Sequence, residues 1–242
     1  VESSRVKVAA VNLLVPILAA TAATGFAVDL GLDWRRRPRP HAGMWALAIG
    51  AYALASWALV LGLAAGWGPV SFRLFYWLGA IVNIPVLAAG SVFLVLGPRI
   101  GRRFAYGVGI WSLLGGAATW LAPLKDIAEK EGIPEGKALF DFIIEVGGVS
   151  VPGPRVFAAI AGGVATLIIV GLAAYSAVRF WRSNRTLAIG NLLIVFGTLA
   201  PALGGSLTAL GEAAGFAVAL LIGAVLLWTG YRVATGSRRV TS

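Results

Sequence analysis

Residues 72–121 read FRLFYWLGAIVNIPVLAAGSVFLVLGPRIGRRFAYGVGIWSLLGGAATWL, and this stretch decides the fold. Two apolar runs, Phe72–Leu96 and Phe104–Leu121, flank a cluster of Arg99, Arg102 and Arg103. A helix needs about 20 apolar residues to cross the hydrocarbon core of a bilayer, and both runs meet that length or come close. They are continuous, whereas a barrel strand would alternate over about 10 residues, so they predict helices. Five further runs of the same kind lie outward from them. Val8–Leu30 and Met44–Ala65 precede them; Val156–Phe180, Leu187–Leu207 and Ala213–Val233 follow. The sequence therefore predicts an all-α membrane protein, a bundle of seven transmembrane helices forming a single domain over residues 1–242.

The chain is 59% hydrophobic and 12% charged, where a soluble domain averages about 25% charged residues. Its mean hydropathy is +0.86. A net charge of +10 would suggest nucleic acid in a soluble protein, but the basic residues here sit at span ends. That placement predicts contact with anionic membrane lipids, worth about 1 kcal/mol per residue near the surface, and no nucleic-acid partner. No cysteine is present, which excludes disulfides, iron–sulfur clusters and thiolate chemistry. His41 is the single histidine, so one chain cannot supply two axial histidines to a haem. The sequence offers no metal or cofactor signature. The first run is too long, and too lightly flanked, for a cleaved signal peptide.

The arginines orient the bundle. Arg35, Arg36, Arg37 and Arg39 fall in the first loop, Arg99, Arg102 and Arg103 in the third, Arg179, Arg182 and Arg185 in the fifth, and Arg232, Arg238 and Arg239 in the tail. These are thirteen of the 20 basic residues. The positive-inside rule assigns them to the cytoplasm, with the N-terminus outside and the C-terminus inside, as in a multi-pass protein of the cell (plasma) membrane. Spans one to three and five to seven then run the same way, which admits a 3+1+3 arrangement of the kind found in some transporters. The long connection from Leu124 to Pro154 lies outside. Pro134 opens, and Gly147-Gly148 closes, a predicted amphipathic helix there, with Leu139, Phe142, Ile143 and Val146 on one face. Such a helix lies on the membrane surface; the alternative is a lid over an outward-facing cavity.

Ionisable groups at mid-membrane mark function by default, and this chain has almost none, which argues against strong proton or sodium coupling. The third span carries the exception. Arg73, Tyr76, Ala80, Asn83, Leu87 and Gly90 recur at helical spacing as one stripe. Asn83 falls near the bilayer centre, and Pro85 removes a backbone donor just after it. Two readings stand for Asn83: a ligand contact, or a hydrogen bond to a neighbouring helix. The candidate ligand-binding residues are Arg73, Tyr76 and Asn83, with Glu212 at the outer mouth of the seventh span. Gly190, Gly197 and Gly204 recur every seven residues along the sixth span, continued by Gly211. Small residues let helix backbones approach closely in lipid, so this is a packing seam, either within the bundle or toward a partner.

Two segments carry a resemblance. Phe72-Arg73-Leu74-Phe75-Tyr76-Trp77-Leu78-Gly79-Ala80 with Asn83-Ile84-Pro85, and Gly190-Asn191-Leu192-Leu193-Ile194 with Gly197-Thr198-Leu199, resemble an uncharacterised family of seven-span bacterial integral membrane proteins over most of the membrane core. That family brings no established activity, so the resemblance implies the span count and no mechanism. Microbial rhodopsins share the topology and an Arg-x-x-x-Trp like Arg73 and Trp77. The predicted spans contain no lysine, which excludes a retinal Schiff base.

Two functional classes fit. One is a non-catalytic interaction or sensor protein, or an accessory subunit of a membrane assembly with a protein partner in the bilayer. The other is a carrier for a small or lipid-like molecule. An enzyme fits less well, since intramembrane catalysis needs paired acids, a histidine or a metal site.

Overall fold

The computed structural model describes residues 2–125, 127, 132–208 and 213–239, with side chains over 13–125, 127, 132–204 and 215–235. Among these residues, six helical stretches are long and apolar enough to cross a membrane. The chain is an all-α membrane protein apart from one short hairpin. Helices α1 (Glu2–Arg36) and α2 (Pro40–Ala65) come first. A helical stretch of 53 residues follows, Pro69–Leu121, made of α3 (Pro69–Tyr76), a π-helical turn (Trp77–Val82) and α4 (Asn83–Leu121). After α5 (Gly136–Leu139) and strands β1 (Ile143–Val146) and β2 (Val149–Pro152), α6 (Pro154–Ile160) passes through a second π-helical turn (Ala161–Ala165) into α7 (Thr166–Phe180). The last two helices are α8 (Arg185–Thr208) and α9 (Ala213–Arg239).

The 53-residue stretch would run roughly 80 Å if straight, more than twice the hydrocarbon core. It is not straight. Gly97 has φ 84° and ψ 174°, a backbone region confined in practice to glycine. Pro98 follows, and proline disfavours helical backbone at the residue before it. The chain folds back at this point. Trp77 Nε1 donates to the Ser112 carbonyl at 2.9 Å, and a Cβ on Gly116 would stand 2.9 Å from the same indole nitrogen. Residues before Gly97 therefore pack antiparallel against those after it.

The interior is built from small residues and the exterior from large apolar ones. Ala20, Ala23, Ala48, Ala88 and Ala224 are buried, while Leu113, Leu167 and Val178 are more than 70% exposed. A water-soluble monomer does not present such a surface. In lipid, apolar exteriors cost nothing and small residues let the backbones approach. The glycines of α8 do this against α9. A Cβ on Gly190 would stand 2.8 Å from the Ala234 nitrogen, and one on Gly197 2.8 Å from the Leu227 nitrogen. One on Gly204 would collide with the Ala219 side chain. Gly223 and Gly230 of α9 meet the Gly197 and Gly190 carbonyls in return. The seam thus joins consecutive helices of one chain. Gly211 lies outside the described residues.

The connection after α4 corrects the sequence reading. An amphipathic helix is expected between Pro134 and Gly147-Gly148; instead a single helical turn, α5, precedes a β-hairpin. Gly147 and Gly148 have φ of 60° and 81°. Positive φ at both central residues is what a two-residue hairpin turn demands. Strand β1 pairs antiparallel with β2, Ile144 opposite Val151 and Val146 opposite Val149. The predicted apolar face is accordingly divided. Leu139 is fully buried, whereas Phe142, Ile143 and Val146 are exposed on the hairpin. Leu139 and Phe140 instead join a core with Trp67 and Phe72 at one end of the bundle, and Trp67 Nε1 donates to the Gly132 carbonyl at 2.6 Å.

Candidate ligand-binding site

Asn83 stands directly after a π-helical turn, and the sequence accounts for its position. Pro85 has no N–H, and in a regular α-helix its ring would crowd the Ile81 carbonyl four residues back. The chain widens instead, and the Asn83 N–H donates to the Leu78 carbonyl, five residues earlier. Such π-turns occur often at functional sites, because they place one extra residue in a turn and swing its neighbours off the regular helical face. Gly162-Gly163 lie in the second π-turn, on the other side of the same space.

Between the two turns is a cavity of about 230 Å³. Its walls come from α2, α3, α4, α6, α8 and α9 as well as the two π-turns. Many of them carry little side chain at this level: Ala55, Gly79, Ala80, Ala158, Gly162 and Ala202. Aromatic Phe75, Tyr76 and Phe216 close one side. Tyr52 crosses from α2 to α9, donating its hydroxyl to the Leu220 carbonyl at 2.7 Å.

Three residues of the wall carry polar side-chain groups without a hydrogen-bond partner, although the Ser56 hydroxyl is sealed from the space and the Tyr76 hydroxyl lies over Gly136. The Ser56 hydroxyl is buried, the residue 2% exposed, and has no hydrogen-bond partner among the described residues. The Asn83 amide and the Tyr76 hydroxyl, both partly buried, likewise make no hydrogen bond among the described residues. Burying an unpaired amide or hydroxyl costs about 1–3 kcal/mol by protein mutational data. No Asp, Glu, His, Lys or Arg lines the cavity. Among the described residues, no cluster of His, Asp or Glu is able to hold a metal ion. The arrangement is suited to holding a small molecule by shape and one or two hydrogen bonds.

The structure brings Tyr76 and Asn83 together at this cavity and sets Arg73 apart. Of the stripe read from the sequence, Tyr76, Ala80 and Asn83 share the cavity wall across the π-turn, while Arg73, on the same helix as Tyr76, turns away. Arg73 reaches the end of α4 instead: its Nε donates to the Thr119 carbonyl at 3.1 Å and its Nη2 to the Ala122 carbonyl at 3.0 Å. These belong to the last turn of a helix, where carbonyls lack intrahelical partners and a cation is favoured by the dipole. The guanidinium also lies 5.8 Å from the centroid of the Trp120 ring. Glu212 lies outside the described residues. Sequence reasoning missed Ser56 and Tyr52. A lone serine in an apolar run is a weak signal, because it ordinarily bonds its own helix carbonyl four residues back, as Ser91 does here at 3.2 Å.

The segment between α4 and α6 abuts the cavity wall. The Phe140 ring meets Tyr76 edge-on, with centroids 5.1 Å apart, and the Tyr76 hydroxyl passes over Gly136, where a Cβ would stand 3.0 Å from it. A wider groove of about 1470 Å³ opens between α1, α2 and the residues on both sides of Gly97. Its lining is mainly apolar, and Arg35, Arg102, Tyr106 and the unpartnered Ser112 hydroxyl stand along it. No family model matches the chain, and no curated protein is significantly similar to it in sequence.

Proposed function

We propose that this is a seven-span, multi-pass protein of the bacterial plasma membrane that binds a small, mostly apolar molecule beside Asn83 and acts as a non-catalytic sensor or accessory subunit. The observation that carries the binding role is the cavity itself, with the Asn83 amide at its wall and no hydrogen-bond partner for it among the described residues. An apolar cavity of about 150 Å³ takes a benzene-sized molecule, so about 230 Å³ suits a somewhat larger one. The seven-span count is supported by the reversal at Gly97, which divides Pro69–Leu121 into two helices of spanning length. An N-terminus outside and a C-terminus in the cytoplasm are supported by the arginine-bearing junctions. Arg36 and Arg39, Leu94, Leu187 and Thr235 line one recess, so those junctions share one end of the bundle. A 3+1+3 repeat draws no support from the π-turns, which fall in the third and fifth spans, positions a parallel repeat would not equate.

The test is direct. Organic extraction of the purified protein, followed by mass spectrometry, should yield a bound small molecule. That molecule should be lost from Ala202→Phe, which fills the cavity, and from the double variant Asn83→Leu with Ser56→Ala, both still folded by circular dichroism. If the filled variant gains stability while extracts of all forms are identical, the cavity is a packing defect and the binding reading fails.

A carrier for the same class of molecule is the second reading, favoured by Phe140 and Gly136 lying against Tyr76. Cross-linking this segment to α3 would block uptake into vesicles in a carrier. In a sensor it would alter only the rates of binding and release.

A further inference from the structure

The arginine-bearing end holds a second recess, larger than the first and unlike it in chemistry. It measures about 590 Å³ and opens between the ends of α1, α2, α8 and α9. Arg36, Arg37 and Arg39 line it, with His41, Asn191 and Thr235. Three guanidinium groups stand against one carboxylate on its wall, so a net positive charge remains. The acid on its wall, Asp33, is engaged by the Tyr231 hydroxyl at 2.9 Å. One helical turn deeper, Asp29 accepts from Trp228 Nε1 and from Arg232 Nε, both at 2.8 Å. Among the described residues, Arg36, Arg37 and Arg39 form no ion pair. Arg39 is also the residue that caps α2, and it makes no side-chain cap bond there.

We infer that this recess binds a phosphate group, carried either by an anionic phospholipid headgroup or by a soluble phosphate compound. Guanidinium groups pair with phosphate through two parallel hydrogen bonds, and three of them surround one space here. Asn191 brings a neutral amide donor beside them, while Thr235 donates its hydroxyl to its own helix, to the Tyr231 carbonyl at 2.8 Å. The remaining wall is apolar, formed by Trp45, Leu94, Leu187 and Ile194, which suits the carbon skeleton next to a phosphodiester. Basic recesses between helix ends are a recurrent way of holding lipid headgroups. The site takes a different class of ligand from the cavity beside Asn83, shares no lining residue with it, and stands or falls separately.

The experiment uses the full chain in nanodiscs of phosphatidylcholine, with or without a minor fraction of phosphatidylglycerol. Phosphatidylglycerol should raise the thermal midpoint, and native mass spectrometry should show it retained. The triple variant Arg36→Gln/Arg37→Gln/Arg39→Gln should lose retention by roughly ten-fold or more, since each arginine near an anionic surface is worth about five-fold. The control Arg99→Gln/Arg102→Gln/Arg103→Gln removes the same charge from residues that do not line the recess, and should keep it. Inorganic phosphate added to pure phosphatidylcholine discs separates the two sources: a matching midpoint shift identifies a soluble phosphate ligand, and no shift identifies the lipid. Arg39→Lys keeps the charge and the fold but breaks the paired geometry, and should weaken retention several-fold. Equal loss in the two triple variants, an unchanged Arg39→Lys, or no effect of either phosphate source would overturn the site.

Discussion

Asn83 occupies a position beside a cavity where leucine, of the same branching, larger and with no amide to desolvate, would serve stability better. An unpaired amide in apolar surroundings costs about 1–3 kcal/mol. Asn83→Leu should therefore stabilise the purified, ligand-free protein by about that amount, read as a higher thermal midpoint in detergent. A lower midpoint would mean that the amide has a structural partner. Arg73 predicts the opposite sign. Its guanidinium holds the Thr119 and Ala122 carbonyls, and a hydrogen bond to a charged group contributes about 1.5–3 kcal/mol. Arg73→Gln should lower the midpoint and leave any molecule bound at the cavity in place. Both residues stand out in the sequence for one reason, polarity within an apolar run, yet their roles differ. The difference arises from what approaches from other helices, and a single sequence does not display that. Ser56 shows the limit more sharply, since nothing in its own span distinguishes it from a self-bonded serine.

At the scale of elements, the glycine seam between α8 and α9 invites a paired comparison. Gly197→Leu would drive its side chain into the Leu227 backbone, and overpacking of this kind costs about 1–3 kcal/mol or more. Gly171 has nothing within 4 Å of where a Cβ would stand, so Gly171→Leu should leave the thermal midpoint unchanged. Equal losses in both variants would remove the seam's special status. The helices themselves were readable from composition, because lipid demands a long apolar run whatever the partners are. The hairpin was not read as one, although its signal is present. Leu139, Phe142, Ile143 and Val146 fit a helical period over a short window. The two adjacent glycines between β-branched residues, Gly147 and Gly148, suit a helix stop by residue type alone and form a hairpin turn in the fold. Both π-turns were invisible, because widening a turn by one residue leaves the apolar run intact.

At the scale of the whole molecule, single cysteines placed at Ser4 and Ser237 should be labelled from opposite faces of intact cells by an impermeant maleimide. Labelling of both from the same face would remove the odd number of spans. The reversal at Gly97 also bears on how the chain is made. A nascent polypeptide ordinarily yields its helices to the bilayer one after another. Here no linker separates residues 69–96 from 98–121, and Arg73 in the first half is costly in a membrane on its own. Its carbonyl partners, Thr119 and Ala122, lie at the far end of the second half. The two halves should therefore enter the membrane together, and an arrest-peptide force scan across residues 69–121 should record one pulling event instead of two. The two helices on either side of Gly97 would then amount to one act of insertion.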